Sequence, residues 1–165
     1  MQLTSFTDYA LRVLMQLAMQ PEVRTTVPAI AAAWGISEHH LVKVVHFLGQ
    51  SGWVETSRGR GGGLQLAVQP AQIRIGQVVR KTEDNLALVE CMGADQGRCR
   101  IASACMLREV LYGAQQAFFA ELDKYTLADL LGPAPRWPAL LAPPYPRQEP
   151  SHEHPSFGSE ADLSV

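Results

Sequence analysis

The chain contains 165 residues, 47% of them hydrophobic, which suffices for one ordinary domain with an appendage and a core that needs no disulfide bonds. Its formal net charge of -2 hides an asymmetry, because residues 1–81 contain eight Lys/Arg against four Asp/Glu, whereas residues 82–165 contain six against twelve. The amino-terminal half is therefore the half suited to a polyanion. No segment has the uninterrupted apolar length that crosses a bilayer or the pattern of a secretion signal, so we expect a cytoplasmic protein without a membrane partner.

The beginning of the chain predicts three helices. The first spans residues 4–19, the second runs from Val27 to Trp34 and stops before Gly35, and the third begins at the N-cap Ser37 and runs to about Ser51. Apolar residues recur at helical spacing in the first helix, at Phe6, Ala10, Val13, Leu14 and Leu17. Apolar residues likewise share one face of the third helix, at Leu41, Val44, Val45 and Leu48. The opposite face is polar, with His39, Lys43, His46 and Gln50.

Two short strands follow the third helix. The segments "WVETS" (53–57) and "LQLAV" (64–68) have strand composition, and "SRGRGGG" (57–63) forms the turn between them. Helix, helix, turn, helix and hairpin is the order of a winged helix-turn-helix. The predicted fold class is therefore mainly α, with a two-stranded wing and, further on, a long dimerisation helix.

The second half of the chain predicts a helix from Ile75 to about Lys81, a loop over residues 84–105 and a long helix from Met106 to Lys124. Much of this long helix is apolar, which calls for a partner surface, and the helical spacing includes Leu107, Val110, Leu111, Ala114 and Phe118. The segment "YTLADLLG" adds a last helical turn or two.

Four regions result from this pattern. We expect a DNA-binding winged helix-turn-helix at 1–82, a cysteine-containing loop at 83–105 and a long-helix region that needs a partner surface at 106–131. The remaining residues, 132–165, are rich in Pro and Ser and lack periodicity, so we expect a disordered tail.

The glycine-rich turn has two interpretations. Its glycines do not have the spacing of a P-loop or of a dinucleotide fingerprint, which excludes both kinds of nucleotide site. The turn is either an ordinary hairpin turn with solvated arginines, or a DNA wing in which Arg58 and Arg60 enter a narrow minor groove. On the second interpretation the third helix lies in the major groove. The residues expected to contact DNA from that helix are Ser37, Glu38, His39, His40 and Lys43.

The three cysteines lie close together in the chain. Cys91, Cys99 and Cys105 are separated by seven and then five residues, which matches neither paired CxxC zinc sites nor ferredoxin runs. They could pack as small apolar residues, but "MGADQGR" between the first two offers little apolar surface. Thiolates are soft ligands for iron, zinc or copper, so the clustering favours a metal site that still needs a fourth ligand.

Several separated segments together resemble the NsrR branch, the nitric-oxide-sensing repressors of the iron–sulfur winged-helix family that also includes IscR. They are the three cysteines and the segments "MQLTSFTDYALRVLMQLA", "HHLVKVVHFLGQSGWVETSRGRGGGLQLA", "IRIGQVVRKTE" and "ELDKYTLADLL". The resemblance covers about residues 1–131 and leaves out the tail.

The resemblance implies a homodimer built on the long helix, with an iron–sulfur cluster on Cys91, Cys99 and Cys105. It also implies that Asp8, in "TDY" of the first helix, is the fourth ligand to the cluster of the partner subunit, and it favours 4Fe-4S over 2Fe-2S. Arg108 stands where the IscR branch has a histidine three residues after the third cysteine, which disfavours that branch. The gap between Cys91 and Cys99 is longer than in many NsrR proteins.

These observations predict a cluster-dependent repressor that binds operator DNA, senses nitric oxide and controls nitric-oxide detoxification genes. Two rivals use the same residues: a regulator of the same family that responds to cluster status or redox state, and a zinc- or thiol-based DNA-binding regulator. The sequence has no nucleophile elbow, Walker motif or cofactor-binding strand-loop-helix unit, so we predict that the protein is not an enzyme.

Overall fold

The computed structural model describes residues 2–59, 61–93 and 99–132. Within these residues the helices are α1 (Ser5–Met19), α2 (Val27–Trp34), α3 (Glu38–Gln50), α4 (Ile75–Thr82), α5 (Met106–Leu122) and α6 (Leu127–Leu131), and the strands are β1 (Val54–Ser57) and β2 (Gly63–Leu66). Single 3-10 turns lie at Pro70–Gln72, Glu90–Met92 and Ala102–Ala104. The order of elements confirms the predicted mainly α fold with a two-stranded wing, while the predicted tail lies outside the described residues from residue 133 onward.

Helix α1 is the centre of the fold. Its first turn is capped by Thr4, whose hydroxyl accepts a hydrogen bond from the backbone N–H of Thr7 at 3.3 Å. The predicted stripe of apolar side chains is buried apart from Phe6, which is partly buried, because every third or fourth residue of the helix faces the core. This buried set comprises Ala10, Val13, Leu14 and Leu17.

Helices α2 and α3 form the helix-turn-helix. Gly35 ends α2 with a φ of 65°, and the N–H of Ile36 donates to the carbonyl of Ala31 at 3.1 Å, which fixes the tight turn. Ser37 stands at the N-cap of α3 as predicted, but its side chain makes no capping hydrogen bond. The predicted N-cap position is therefore confirmed.

Strands β1 and β2 pair antiparallel, with Val54 opposite Leu66 and Ser57 opposite Gly63. Both strands are shorter than predicted, since Trp53 precedes β1 and β2 ends at Leu66. Two further backbone hydrogen bonds join Leu64 to Thr25 in the segment between α1 and α2, at 2.7 and 3.1 Å. This long-range pairing holds the base of the wing against the helical domain.

One apolar core collects buried side chains from α1, α2, α3, both strands, α4 and α6. Helix α6 joins this core through Leu127, which is 0% exposed. The helix begins at a capping box, in which the carboxylate of Asp129 accepts hydrogen bonds from the N–H and the hydroxyl of Thr126, both at 2.7 Å. Helix α6 thus packs back on the helix-turn-helix.

Helix α5 packs differently from the others. Phe119 is its one buried residue, and Arg80 of α4 ties its end to the domain with a double contact to Asp123 at 2.7 and 2.6 Å. Its other face is apolar and exposed, with Met106 at 69%, Leu107 at 63% and Val110 at 62%. Even so, neither α5 nor another helix within the described residues is long and apolar enough to cross a membrane.

Candidate functional site

The outward face of α3 gathers the residues predicted to contact DNA. Leu41, Val44, Val45 and Leu48 turn into the core and Phe47 is partly buried, so the other side chains of α3 are the exposed ones. All five predicted contacts are exposed, namely Ser37, Glu38, His39, His40 and Lys43. Val42, an apolar residue that is not among the predicted contacts, is 56% exposed as well.

His40 differs from the other exposed residues of α3 because it lies against α1. Its ring stacks on Tyr9, with ring centres 6.3 Å apart and planes 26° apart. A cavity of about 180 Å³ adjoins this contact and is lined by Ser5, Phe6, Tyr9, His40, Lys43 and Val44. Tyr9, the residue that follows Asp8 in α1, therefore contacts α3 directly.

The turn between β1 and β2 carries the two arginines that are predicted to enter DNA. Arg58 is exposed, whereas Arg60 lies outside the described residues. Gly61 has a φ of 77°, and a Cβ at Gly62 would come within 2.4 Å of the carbonyl oxygen of Ser57, so the turn requires glycine at both positions. Arg24 adds a cation at the base of the wing, where it donates a hydrogen bond to Ser57.

Asp8 lies on α1 with its side chain 46% exposed. Both of its oxygens are engaged by Arg12, since Nε donates to Oδ1 at 3.0 Å and the second contact, to Oδ2, is 2.8 Å. The guanidinium of Arg12 also lies 5.3 Å from the ring centre of Trp34. A metal ion that binds this carboxylate must therefore share it with Arg12 or displace Arg12.

Directly before Asp8, a cluster of hydroxyl and carboxyl groups anchors the start of α1 to the end of α4. Glu83 Oε1 accepts hydrogen bonds from the N–H of Thr4 at 2.8 Å and from the Thr4 hydroxyl at 3.0 Å, and it lies 2.5 Å from the hydroxyl of Thr7. The buried Thr7 hydroxyl is also 2.8 Å from that of Thr82. Partial burial opposes ionisation of Glu83, but the hydrogen bonds from Thr7 and Thr4 outweigh it and hold the pKa of this carboxyl below its ordinary value.

The depressed pKa predicts a pH-dependent contribution of Glu83 to stability. A carboxyl whose pKa is lower in the folded chain stabilises the fold above its unfolded pKa, and this contribution is lost as the pH falls through the folded pKa. Glu83→Gln should therefore lower the free energy of unfolding by about 1 kcal/mol at pH 7, because a neutral amide is a weaker acceptor. The difference from the wild type should shrink as the pH falls below the unfolded pKa of about 4.3 and should vanish once the pH is below the folded pKa.

Urea unfolding of both proteins from pH 7 to pH 3 measures this difference. Glu22→Gln, at an exposed acid between α1 and α2, is the matched control and should change little. A Glu83→Gln deficit that persists unchanged at pH 3 would contradict the assignment.

The three cysteines are free and half-buried. Cys91 lies on the 3-10 turn Glu90–Met92, Cys105 is the N-cap of α5, and Cys99 follows residues 94–98, which the structure does not describe. Among the described residues no group of three or more His, Cys, Asp or Glu side chains is gathered so as to hold a metal ion. A cavity of about 400 Å³ adjoins Cys105 and is lined further by Met92, Ser103, Arg108, Glu109, Tyr112 and Gln115.

A helix-turn-helix followed by a two-stranded hairpin is the fold of winged-helix transcriptional regulators. The chain belongs to the Rrf2 family, described as iron-dependent transcriptional regulators, whose family model matches residues 3–133.

The HTH-type transcriptional regulator NsrR of Geobacillus kaustophilus is 55% identical over 132 residues, which cover 79% of this chain and 90% of that protein. Among solved structures, CymR (YrzC), the global cysteine regulator of B. subtilis, superposes with a TM-score of 0.64 at 29% identity, covering 79% of this chain and 95% of that one. IscR of T. potens superposes with a TM-score of 0.65 at 25% identity, covering 79% of this chain and 86% of that one. These relatives are named as transcriptional regulators and not as enzymes, which confirms the prediction that the protein is not an enzyme.

Proposed function

We propose that this protein is a cytoplasmic homodimeric repressor that binds operator DNA while it holds an iron–sulfur cluster and releases the DNA when nitric oxide reaches that cluster. The regulated genes would be those for nitric-oxide detoxification. The observation that carries the proposal is the set of three free, half-buried thiols between the DNA-binding domain and α5. The 55% identity to a regulator named NsrR, over 132 residues, supports a sensing role for these thiols.

The donor chemistry of the chain fits such a cluster. Cys91, Cys99 and Cys105 would supply three thiolates, which are the ligands that iron–sulfur clusters use. Asp8 of the partner subunit would supply the fourth ligand, and a 4Fe-4S cluster is favoured. When bound, the cluster supplies the iron with which nitric oxide reacts. Iron and acid-labile sulfide, measured per chain in protein purified without oxygen, test this part of the proposal, and protein that contains neither contradicts it.

The apolar face of α5 supports the dimer. A helix that leaves Met106, Leu107 and Val110 more than half exposed presents contiguous apolar surface, which proteins seldom leave to water. A second copy of α5 would cover this face. The cysteine loop of one subunit would then lie near α1 of the other.

Helix α1 would connect the cluster to the helix that is proposed to bind DNA. Asp8 must give up all or part of its double contact with Arg12 before it can serve as a ligand. Tyr9, the next residue, stacks on His40 of α3. A shift at the start of α1 therefore reaches the DNA-facing helix through one contact. A typical coupling of about 1 to 3 kcal/mol would change operator affinity roughly 5- to 150-fold.

Asp8→Ala tests the bridge between subunits. Loss of the carboxylate should leave the cysteine thiolates in place but make the cluster labile, or reduce the loss of operator affinity on nitric oxide treatment to less than about fivefold. Cluster absorbance and operator affinity, both before and after nitric oxide, measure the effect. Arg12→Ala is the matched control, because it removes the same ion pair and keeps the carboxylate. An Asp8→Ala protein that behaves as the wild type removes the bridge from the mechanism.

A further inference from the structure

Val42 is an exposed apolar side chain on α3, the helix proposed to face DNA. It is 56% exposed, and among the described residues up to Thr82 only Val23 is an equally exposed large hydrophobic residue. A β-branched residue is a poor choice for an exposed helix position, since its χ1 freedom is restricted there. Helix stability therefore does not explain a valine at this position.

The position of Val42 on α3 places it among the polar residues of the same face. Residues three and four apart are neighbours on a helix, so Val42 lies beside Glu38, His39 and His46, all of which are exposed. Leu41 and Val45, one step behind and three steps ahead, are buried in the core and fix the rotation of the helix. In a helix-turn-helix this outward face enters the major groove.

The major groove offers one apolar group, the C5-methyl of thymine, and apolar side chains recognise it by contact. We propose that Val42 reads a thymine methyl in each operator half-site and so determines specificity at that base pair. The neighbours His39 and Lys43 are polar and suited to base edges or phosphates, whereas Val42 cannot form a hydrogen bond through its side chain. The inference rests on DNA binding by α3, which belongs to the function stated above.

The test removes the methyl group from the DNA and its partner from the protein. Duplexes are first enriched from a random-sequence pool by the full-length protein purified without oxygen. Each thymine of the enriched half-site is then replaced by deoxyuridine, and dissociation constants are measured for the wild type, Val42→Ala and Val42→Ile. Val23→Ala is the matched control, because Val23 has the same 56% exposure and lies outside α3.

At one thymine position, a single uracil in one half-site should weaken binding of the wild type and of Val23→Ala about fourfold, the value expected for one methyl group removed from a contact. The affinity of Val42→Ala should not change at that position, and Val42→Ile should keep the difference. Three results would overturn the role of Val42. The first is an effect of uracil that is the same for the wild type and Val42→Ala at every position, and the second is an enriched half-site that contains no thymine. The third is a Val42→Ile protein that binds thymine and uracil duplexes equally well. A wild-type protein that enriches no duplex would instead contradict the DNA-binding function itself.

Discussion

Replacing Cys105 with serine is expected to give a folded protein that holds no iron–sulfur cluster. Cys105 is the N-cap of α5 and makes no side-chain capping hydrogen bond there. Serine is a favoured N-cap residue of nearly the same size, so the helix should not lose stability. An alcohol, however, is not a soft ligand and does not replace a thiolate on iron. We expect bound iron per chain to fall at least roughly tenfold, and operator affinity with it, since loss of even an outer-shell partner of a metal site commonly costs 10- to 100-fold.

Iron analysis, visible absorbance and operator binding of Cys105→Ser measure these effects. Ser103→Ala is the matched control, because Ser103 lines the same cavity beside Cys105 and carries no thiol. A Cys105→Ser protein with the iron content and colour of the wild type would exclude Cys105 as a ligand. Unfolding curves of both variants separate loss of the cluster from loss of the fold.

Replacing Arg58 and Arg60 together with alanine should weaken operator binding by about 100-fold at physiological salt. A dimer has two wings and would lose four cations, each of which releases about one counterion when it meets a phosphate. The slope of log affinity against log salt should therefore become shallower by roughly 2 to 4. Lys124→Ala, which removes an exposed cation at the end of α5 that is paired with Glu121, should leave the slope unchanged.

Binding isotherms at several salt concentrations give both quantities for the wing. A double variant whose affinity falls while its slope stays constant would mean that the arginines support the wing without touching DNA. If neither quantity changes, the turn is an ordinary hairpin turn.

Local patterns predicted the DNA-binding domain well. The stripe of Ala10, Val13, Leu14 and Leu17 in α1 and the four apolar residues of α3 are buried as their helical spacing indicated. The bounds of α2 also agree, because Pro28 and Gly35 are strong local signals for the start and the end of a helix. Each of these features depends on residues within a few positions of one another.

Features that depend on distant contacts were not predicted. The pairing of Leu64 with Thr25 joins segments that no sequence pattern connects, and the stacking of Tyr9 on His40 needs α1 and α3 in place. Glu83 lies 79 residues from Thr4, so its role as an anchor of α1 has no local signal. By contrast, the i, i+4 spacing of Asp8 and Arg12 could have revealed their ion pair.

The long helix shows where periodicity alone is ambiguous. Of the apolar residues that share helical spacing in α5, Leu107 and Val110 are exposed, whereas Leu111 and Phe118 are partly buried near Phe119. The pattern therefore mixes two faces, one packed on the domain and one uncovered. The packing of α5 in the structure is needed to tell the packed face from the uncovered face.

The central claim is that one bound cluster couples nitric oxide to operator affinity. It is tested most directly by titrating nitric oxide into protein purified without oxygen, while visible absorbance and binding to an operator duplex are followed in the same sample. The account predicts a brown protein whose absorbance bleaches at a few nitric oxide molecules per cluster and whose DNA is released over the same range. A colourless protein that contains zinc or no metal and binds DNA regardless of nitric oxide would contradict it and favour a zinc- or thiol-based regulator.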